Sequence, residues 1–531
     1  MRIGNYYARN AEQWPDGIAC VDHGTSTTHR ELNLRINRLA NALADSGLGV
    51  GDRIGMLADN STLVIEAYGA AAKAGLGVAP YNFRVSDSEL RTLVEHSRVK
   101  LVILGRGYES MAPRLLGAFP GMPIIVQRAD GDGGLDGYEQ ILSSSRDDEP
   151  TIAFDHTTTG LAIVYTSGTS GAGPKAVQLT HDQTTRHAAC AVLEYRLDEF
   201  SRYLLALPHT SAGTVHNTIP QCAMAGACLV IEDVRNFDAD VFLRNLEHYR
   251  ITHTHIVPTM AFRVLNADTI EIVDTSSLEV LGYGGAPMPA PQVERLYRRF
   301  GPVIMDVYGM TEVGATATVL RRSDHRRFVE SGRLAHLASA GRPVYDIEVA
   351  VLDESGTPVV VGESGEIAFR GPYVMHGYLD DPAASEAVFA GDGWLLSGDV
   401  GHLDDNGYLF VEDRKKDVII SGGLNVASRE VEDVLYMHPD VLEAAVVGIE
   451  HPEWGEVITA AVVPARQVDE ADLIRAIDQH CRKHLTSYKV PRAFSIQQHI
   501  PKNAMGKILK PEVRRLINAT GFPAHTHEAL R

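Results

Sequence analysis

The chain has 531 residues, more than one ordinary domain holds, so a large part and at least one smaller part are expected. Apolar residues at 44% and charged residues at 22% are the proportions of a soluble globular enzyme. With 49 Lys plus Arg against 68 Asp plus Glu, the formal net charge of −19 argues against a nucleic-acid coat or an anionic-membrane binder, and leaves room for a local basic patch that holds phosphates.

At the N-terminus, Met1-Arg2-Ile3-Gly4-Asn5 lacks the apolar core of a signal peptide, and no later stretch approaches the ~18 uninterrupted apolar residues of a membrane span. A cytoplasmic protein without a membrane span is expected. Thr28 followed by Glu31 is a capping-box signature, and Leu32, Ile36, Leu39 and Leu43 then share one helical face before Gly47 stops it. A second amphipathic stretch from about Leu63 ends at Gly75 and runs into the extended Leu76–Ala79. Short apolar runs at Leu101–Leu104 and Ile124–Val126, lying between helical segments, predict parallel strands buried in α/β layers. The glycine-rich Asp130–Gly137 stretch reads as a surface loop.

From about residue 340 the texture changes to short strands and turns, as in Gly365–Gly371 and Gly407–Val411. The charged run Asp413-Arg414-Lys415-Lys416-Asp417 follows. Beyond it the pattern is a helix near 429–437, strands at 442–449 and 457–464, a helix at 469–484 and a strand at 493–498, which is enough for a separately folding α+β unit. The five cysteines, Cys20, Cys190, Cys222, Cys228 and Cys481, are odd in number and contain no C-x-x-C pair, so neither a disulfide framework nor a zinc site is expected and a reducing compartment is.

The chemistry is carried by a few segments. Tyr165-Thr166-Ser167-Gly168-Thr169-Ser170-Gly171-Ala172-Gly173-Pro174-Lys175 lies between two strand-like runs, 161–164 and 176–179. Its backbone N–H groups and hydroxyls suit phosphate oxygens, and its lysine adds charge. By itself such a stretch is more often a plain surface turn; the flanking strands and the Pro-Lys ending reverse that. A Walker A loop is the competitor, and it fails because Pro174 takes the lysine position and Ala176 follows Lys175. A second lysine, Lys507, ends Pro501-Lys502-Asn503-Ala504-Met505-Gly506-Lys507, where a positive charge can meet negative charge developing in a transition state. Gly284-Gly285-Ala286-Pro287, Asp306-Val307-Tyr308-Gly309-Met310-Thr311-Glu312 and Ser397-Gly398-Asp399 fall between them.

In this order the segments resemble the adenylate-forming superfamily, which includes acyl-CoA synthetases, aryl-CoA ligases, peptide-synthetase adenylation domains and beetle luciferase. The resemblance covers essentially the whole chain. It implies an α/β fold: a large multi-subdomain N-terminal domain with layered sheets and helices at 1–413, and a small mobile α+β C-terminal domain at 414–531 with its hinge near 414–417, at Lys416. It further implies that Thr166, Ser167, Gly168, Thr169, Ser170, Gly171 and Lys175 hold phosphate, with Thr311 in contact with it. Gly285, Ala286, Pro287, Asp306, Tyr308, Gly309 and Met310 would frame adenine, with Asp306 on its amino group and Tyr308 stacked on the ring. Asp399 and Arg414 would hold ribose, Glu312 would hold Mg2+, and Lys507 would reach the carboxylate and α-phosphate as the catalytic lysine, with Glu312 and Thr311 beside it.

The implied reaction is ATP-dependent ligation of a hydrophobic or aromatic, even polycyclic, acid to CoA through acyl-AMP. The alternatives are a ligase that only adenylates, one that loads a carrier protein's phosphopantetheine, and, from another class, an inactive nucleotide-binding regulator. A homodimer stays open. His209, Ser211, Gly284, Val313 and Gly314 are placed at the acyl pocket, the small residues suggesting room there, with a plain structural role for His209 equally open. Gly422, Gly423 and Leu424 are placed at the thiolation loop. The chain departs from the pattern in its phosphate loop, with one extra residue and Ala176 for glycine, and at Asn425-Val426-Ala427-Ser428, where relatives commonly have Asn-Val-Tyr-Pro. The second departure alters the packing and stiffness of the segment beside the thiolation loop.

Overall fold

A computed structural model describes residues 2–127, 137–166, 175–502 and 508–519. The expected loop around Asp130 therefore lies outside the described residues, except for Gly137. Thr28 caps the helix His29–Asp45 as its spacing predicts: its hydroxyl accepts the Glu31 N–H, and Glu31 reaches back to the Thr28 N–H at 2.8 Å. Leu32, Ile36, Leu39 and Leu43 are all buried. The next helix, Thr62–Ala74, differs from the expectation of an amphipathic stretch, because every residue from Leu63 to Ala74 is buried. It packs against the helices Ile3–Gln13 and His29–Asp45 and touches strands of two different sheets, Gly77–Tyr81 and Ile18–Asp22, so no face is left for water. Its two charges are each paired: Glu66 with Arg35 at 2.5 Å, and Lys73 with Glu149 at 2.6 Å.

The two sheets that enclose this helix are mostly parallel. One runs Ile124–Val126, Leu101–Leu104, Arg53–Leu57, Gly77–Tyr81, Gly160–Thr166, Lys175–Thr180, and only its last pair is antiparallel. The other has nine strands with a parallel centre: Ile304–Tyr308, Val280–Gly284, His253–Ile256, Arg202–Leu205, Cys228–Ile231 and Ile18–Asp22. An antiparallel sheet of Glu348–Leu352, Gly365–Arg370, Trp394–Leu403, Phe389–Ala390 and Leu409–Arg414 completes the large domain.

The small domain pairs Leu424–Val426, Ile419–Ser421, Gly455–Pro464, Val441–His451 and Ala493–Ile496, with the helices Ser428–Tyr436, Glu470–His484 and Lys510–Ala519 packed on them. Its hydrophobic cores draw on residues from Ile419 to Ile517, whereas those of the large domain end at Val411. All five cysteines are free and buried. Among the described residues, no helix is long and apolar enough to cross a membrane.

Candidate active site

The parallel strands of the nine-stranded sheet end together, and in open α/β sheets ligands collect at such carboxyl ends. Val280–Gly284 and Ile304–Tyr308 run side by side with Gly284 opposite Val307. A Cβ on Gly284 would stand 2.1 Å from the Val307 carbonyl oxygen, so only glycine lets the strands close here. Gly285 turns the chain away at φ +81°. Ala286 is exposed beside Pro287, leaving the turn open on one side. Beyond Tyr308, Gly309 lets the loop fold back, since a Cβ there would meet the Ala315 carbonyl at 2.5 Å. Ala315 N–H then bonds the Met310 carbonyl at 3.0 Å, and Ala317 N–H the Tyr308 carbonyl at 2.9 Å. Burial raises the Asp306 carboxyl to about 7, against the opposing pull of Arg429 and of the Val307 N–H.

Tyr308, Asp399 and Arg414 come together as a unit. The antiparallel pairing of Trp394–Leu403 with Leu409–Arg414 sets Asp399 directly across from Arg414. Arg414 Nε approaches Asp399 Oδ1 at 3.0 Å, and the Tyr308 hydroxyl donates to Asp399 Oδ2 at 2.7 Å. The Asp399 N–H is held by Ser397 Oγ at 3.0 Å. Burial, and then the charge of Asp399, push the Tyr308 phenol well above its ordinary range, so it stays a donor.

Glu312 sits on the single turn Thr311–Val313, 6% exposed. Its Oε1 accepts the Tyr378 hydroxyl at 2.8 Å, and Lys175 Nζ lies 4.9 Å from the centre of the Tyr378 ring. Burial raises the Glu312 carboxyl, while the Tyr378 bond and the charges of Arg414 and Lys175 oppose it. The segment carrying Tyr378 is stitched on both sides: Met375 N–H bonds the Glu312 carbonyl at 2.8 Å, and Leu379 N–H the Ala176 carbonyl at 2.9 Å. Thr166 and Lys175 are paired across the end of their hairpin, in register. Both ends of the expected phosphate loop are thus fixed beside Glu312. Ser167, Gly168, Thr169, Ser170 and Gly171, like Lys507, lie outside the described residues. Among the described residues no cluster of three or more metal-ligating side chains occurs. A single buried carboxylate braced by a phenol fits a hard cation such as Mg2+ whose remaining oxygens come from substrate phosphates.

The acyl side corrects the expectation of space. The missing side chain of Gly284 faces the Val307 backbone, that of Gly314 faces the His187 ring at 2.8 Å, and Val313 is wholly buried in the core. These small residues serve close packing. His209 is 1% exposed; its backbone N–H bonds Asn60 Oδ1 at 2.8 Å and burial lowers its imidazole to about 4. Ser211 Oγ bonds Thr214 Oγ1 at 3.0 Å, inside the first turn of the following helical segment. Gly422, Gly423 and Leu424 form an exposed hairpin tip, and burial lowers the Lys416 ammonium. Tyr378 has no motif around it, and Ser428 shows in the sequence only as a lost proline.

Comparison with known proteins shows the family of the chain. Residues 7–379 match the AMP-binding enzyme family and residues 430–507 the AMP-binding enzyme C-terminal domain. A feruloyl-CoA synthase of Amycolatopsis sp is 35% identical over 97% of this chain and 98% of its own. An indoleacetate–CoA ligase of Aromatoleum aromaticum is 30% identical over 99% and 100%. The structure of o-succinylbenzoate CoA synthetase from Bacillus subtilis, in complex with its acyl-adenylate intermediate, superimposes with a TM-score of 0.82 at 28% identity, covering 96% of this chain and 98% of that one.

Proposed function

Because the chain belongs to the AMP-binding enzyme family, we propose that it is an AMP-forming ligase that joins an aromatic carboxylic acid to CoA through an acyl-AMP intermediate. The observation that carries this reading is the convergence of Tyr308, Asp399 and Arg414 with Glu312, Tyr378 and Lys175 at the carboxyl ends of the parallel strands. Relatives named for ferulate, indoleacetate and o-succinylbenzoate support an aromatic acid.

In the first half-reaction a carboxylate oxygen of the acid bonds the α-phosphorus of ATP, and the bond from that phosphorus to the bridging oxygen breaks, releasing pyrophosphate. Two anions must meet, so cations that offset their repulsion do the catalysis. Lys175 beside Glu312 serves that purpose, Arg414 with Asp399 is assigned to the ribose, and Lys507 is assigned to the carboxylate and α-phosphate. Tyr308 and Asp399 orient the adenosine, with Asp306, Gly285, Ala286, Pro287, Gly309 and Met310 around the base and Thr311 toward phosphate. Glu312 would hold Mg2+, which would supply charge neutralisation for the leaving pyrophosphate. In the second half-reaction the CoA thiol gives up its proton to solvent, its sulfur bonds the acyl carbon, and the bond from that carbon to the phosphate oxygen breaks, so AMP leaves with the oxygen.

The domain boundary at 413/414, with its hinge at Lys416, is supported by the break between cores at Val411 and Ile419. A panel of aryl carboxylic acids, assayed for pyrophosphate release with and without CoA and for thioester by mass, tests the reading. At least one aryl acid should release pyrophosphate and yield a thioester. Release without thioester would reduce the enzyme to an adenylating one, and no release with any acid would refute the ligase.

A further inference from the structure

The helix Ser428–Tyr436 begins without a cap of its own. Its N-cap residue is Ala427, whose side chain accepts nothing, so the first-turn N–H groups need an acceptor from elsewhere. Asp413, in the hinge strand Leu409–Arg414, supplies it. One carboxylate oxygen accepts both the Ser428 N–H at 2.5 Å and the Ser428 hydroxyl at 2.7 Å. The helix dipole favours an anion at this end. Lys510 Nζ donates to Ser428 Oγ and pairs with Glu432 at 2.9 Å, and Glu432 accepts the Val446 N–H at 2.8 Å.

On its other oxygen, Asp413 accepts the backbone N–H of Arg414 at 2.7 Å. Asp413 and Ser428 are 6% and 0% exposed, so these bonds are sheltered from competing water. Arg429 adds a parallel tether, its guanidinium bonding the Val411 carbonyl at 2.6 Å. A continuous run of hydrogen bonds therefore leads from the small-domain sheet to the peptide of Arg414, whose guanidinium holds Asp399.

We propose that Ser428, acting through Asp413 and braced by Lys510, is a positioning residue that fixes Arg414 for the nucleotide. The proposal rests on the reading of Arg414 and Asp399 as nucleotide contacts. Ser428 itself touches no substrate. A proline in its place has neither the N–H nor the hydroxyl, so Asp413 would lose both bonds and with them its anchor.

The test uses the full chain with Ser428→Ala, Ser428→Pro and Ser428→Thr. KM for ATP, KM for the acid and kcat are read from pyrophosphate release, and AMP binding from calorimetry. Ser428→Ala, which keeps the N–H, should raise KM for ATP and weaken AMP binding about threefold, and Ser428→Pro about tenfold or more. Ser428→Thr should restore both to within about twofold, and KM for the acid should stay put in all three. Because Ser428→Pro can fail to fold, Asp413→Ala is the second probe and should match it in any folded sample. Unchanged AMP affinity in folded Ser428→Ala and Asp413→Ala would overturn the proposal, as would equal losses for ATP and acid that threonine fails to rescue. Calorimetry with AMP separates this from the ligase reading, whose own failure is a wild-type chain that binds AMP and activates no acid.

Discussion

Asp399 and His216 are both buried polar groups of the large domain, and their surroundings differ completely. Asp399 gathers the Tyr308 hydroxyl, the Arg414 guanidinium and, through its own N–H, Ser397. Among the described residues, both ring nitrogens of His216 are buried with no partner, and neighbouring His187 has one bond, from Nδ1 to the His216 carbonyl at 2.8 Å, with Nε2 unpartnered. The first region holds its charges in place before any ligand arrives, so little reorganisation is left for binding. The second keeps imidazoles neutral chiefly by burial, and for His216 also by the nearness of His187. One is a site for charge; the other excludes it.

The comparison breaks most visibly at Asp399. Asp399→Ala strands a buried phenol and a guanidinium, and should lower kcat/KM for ATP about a hundredfold or more, with KM for the acid little changed. Pyrophosphate release at varied ATP reads this, and a loss under threefold would mean the pre-built network contributes nothing to the nucleotide. A smaller effect belongs to Tyr378→Phe, with kcat lowered about five- to tenfold. Its sharper signature is in pH. The Tyr378 bond holds the Glu312 carboxyl down against burial. Removing it raises that pKa further in the free enzyme, so protons compete better with Mg2+ for Glu312 and the acid limb of kcat/KM should sit at higher pH than in the parent. A pH–rate profile with an unmoved acid limb would disconnect Tyr378 from Glu312.

Those two regions also differ in how far the sequence disclosed them. The cluster of Tyr308, Asp399 and Arg414 was legible because its residues sit in short motifs: Tyr308 at a strand terminus, Asp399 after the Ser-Gly pair, Arg414 in the charged run that ends its strand. Tyr378 was not, since its partner lies far away in the chain and only the bonds of Met375 and Leu379 bring them together. Glycines misled where size was read as open space. Gly284 and Gly314 are small because Val307 and His187 press on them, a fact of packing that no local pattern carries. The helix Thr62–Ala74 shows the same limit, because its spacing suggested one apolar face while two flanking helices and two sheets required all of them.

The finest test falls on the dry side of the comparison. Burial, reinforced by the nearness of His187, lowers the His216 imidazole from its ordinary 6.5 to about 3. The unfolded chain therefore binds a proton between those values that the folded chain refuses, and folding stability from this group is whole above pH 6.5 and is lost as pH falls toward 3. His216→Leu removes that linkage and replaces two unpartnered nitrogens with carbon. The variant should be neutral at pH 7.5 or more stable by about 1 kcal/mol, and its melting temperature should fall less steeply between pH 6.5 and 4 than the parent's. Thermal unfolding across that range decides it. A variant strongly destabilised at pH 7.5 would show that His216 has polar partners worth keeping, and the contrast with Asp399 would collapse.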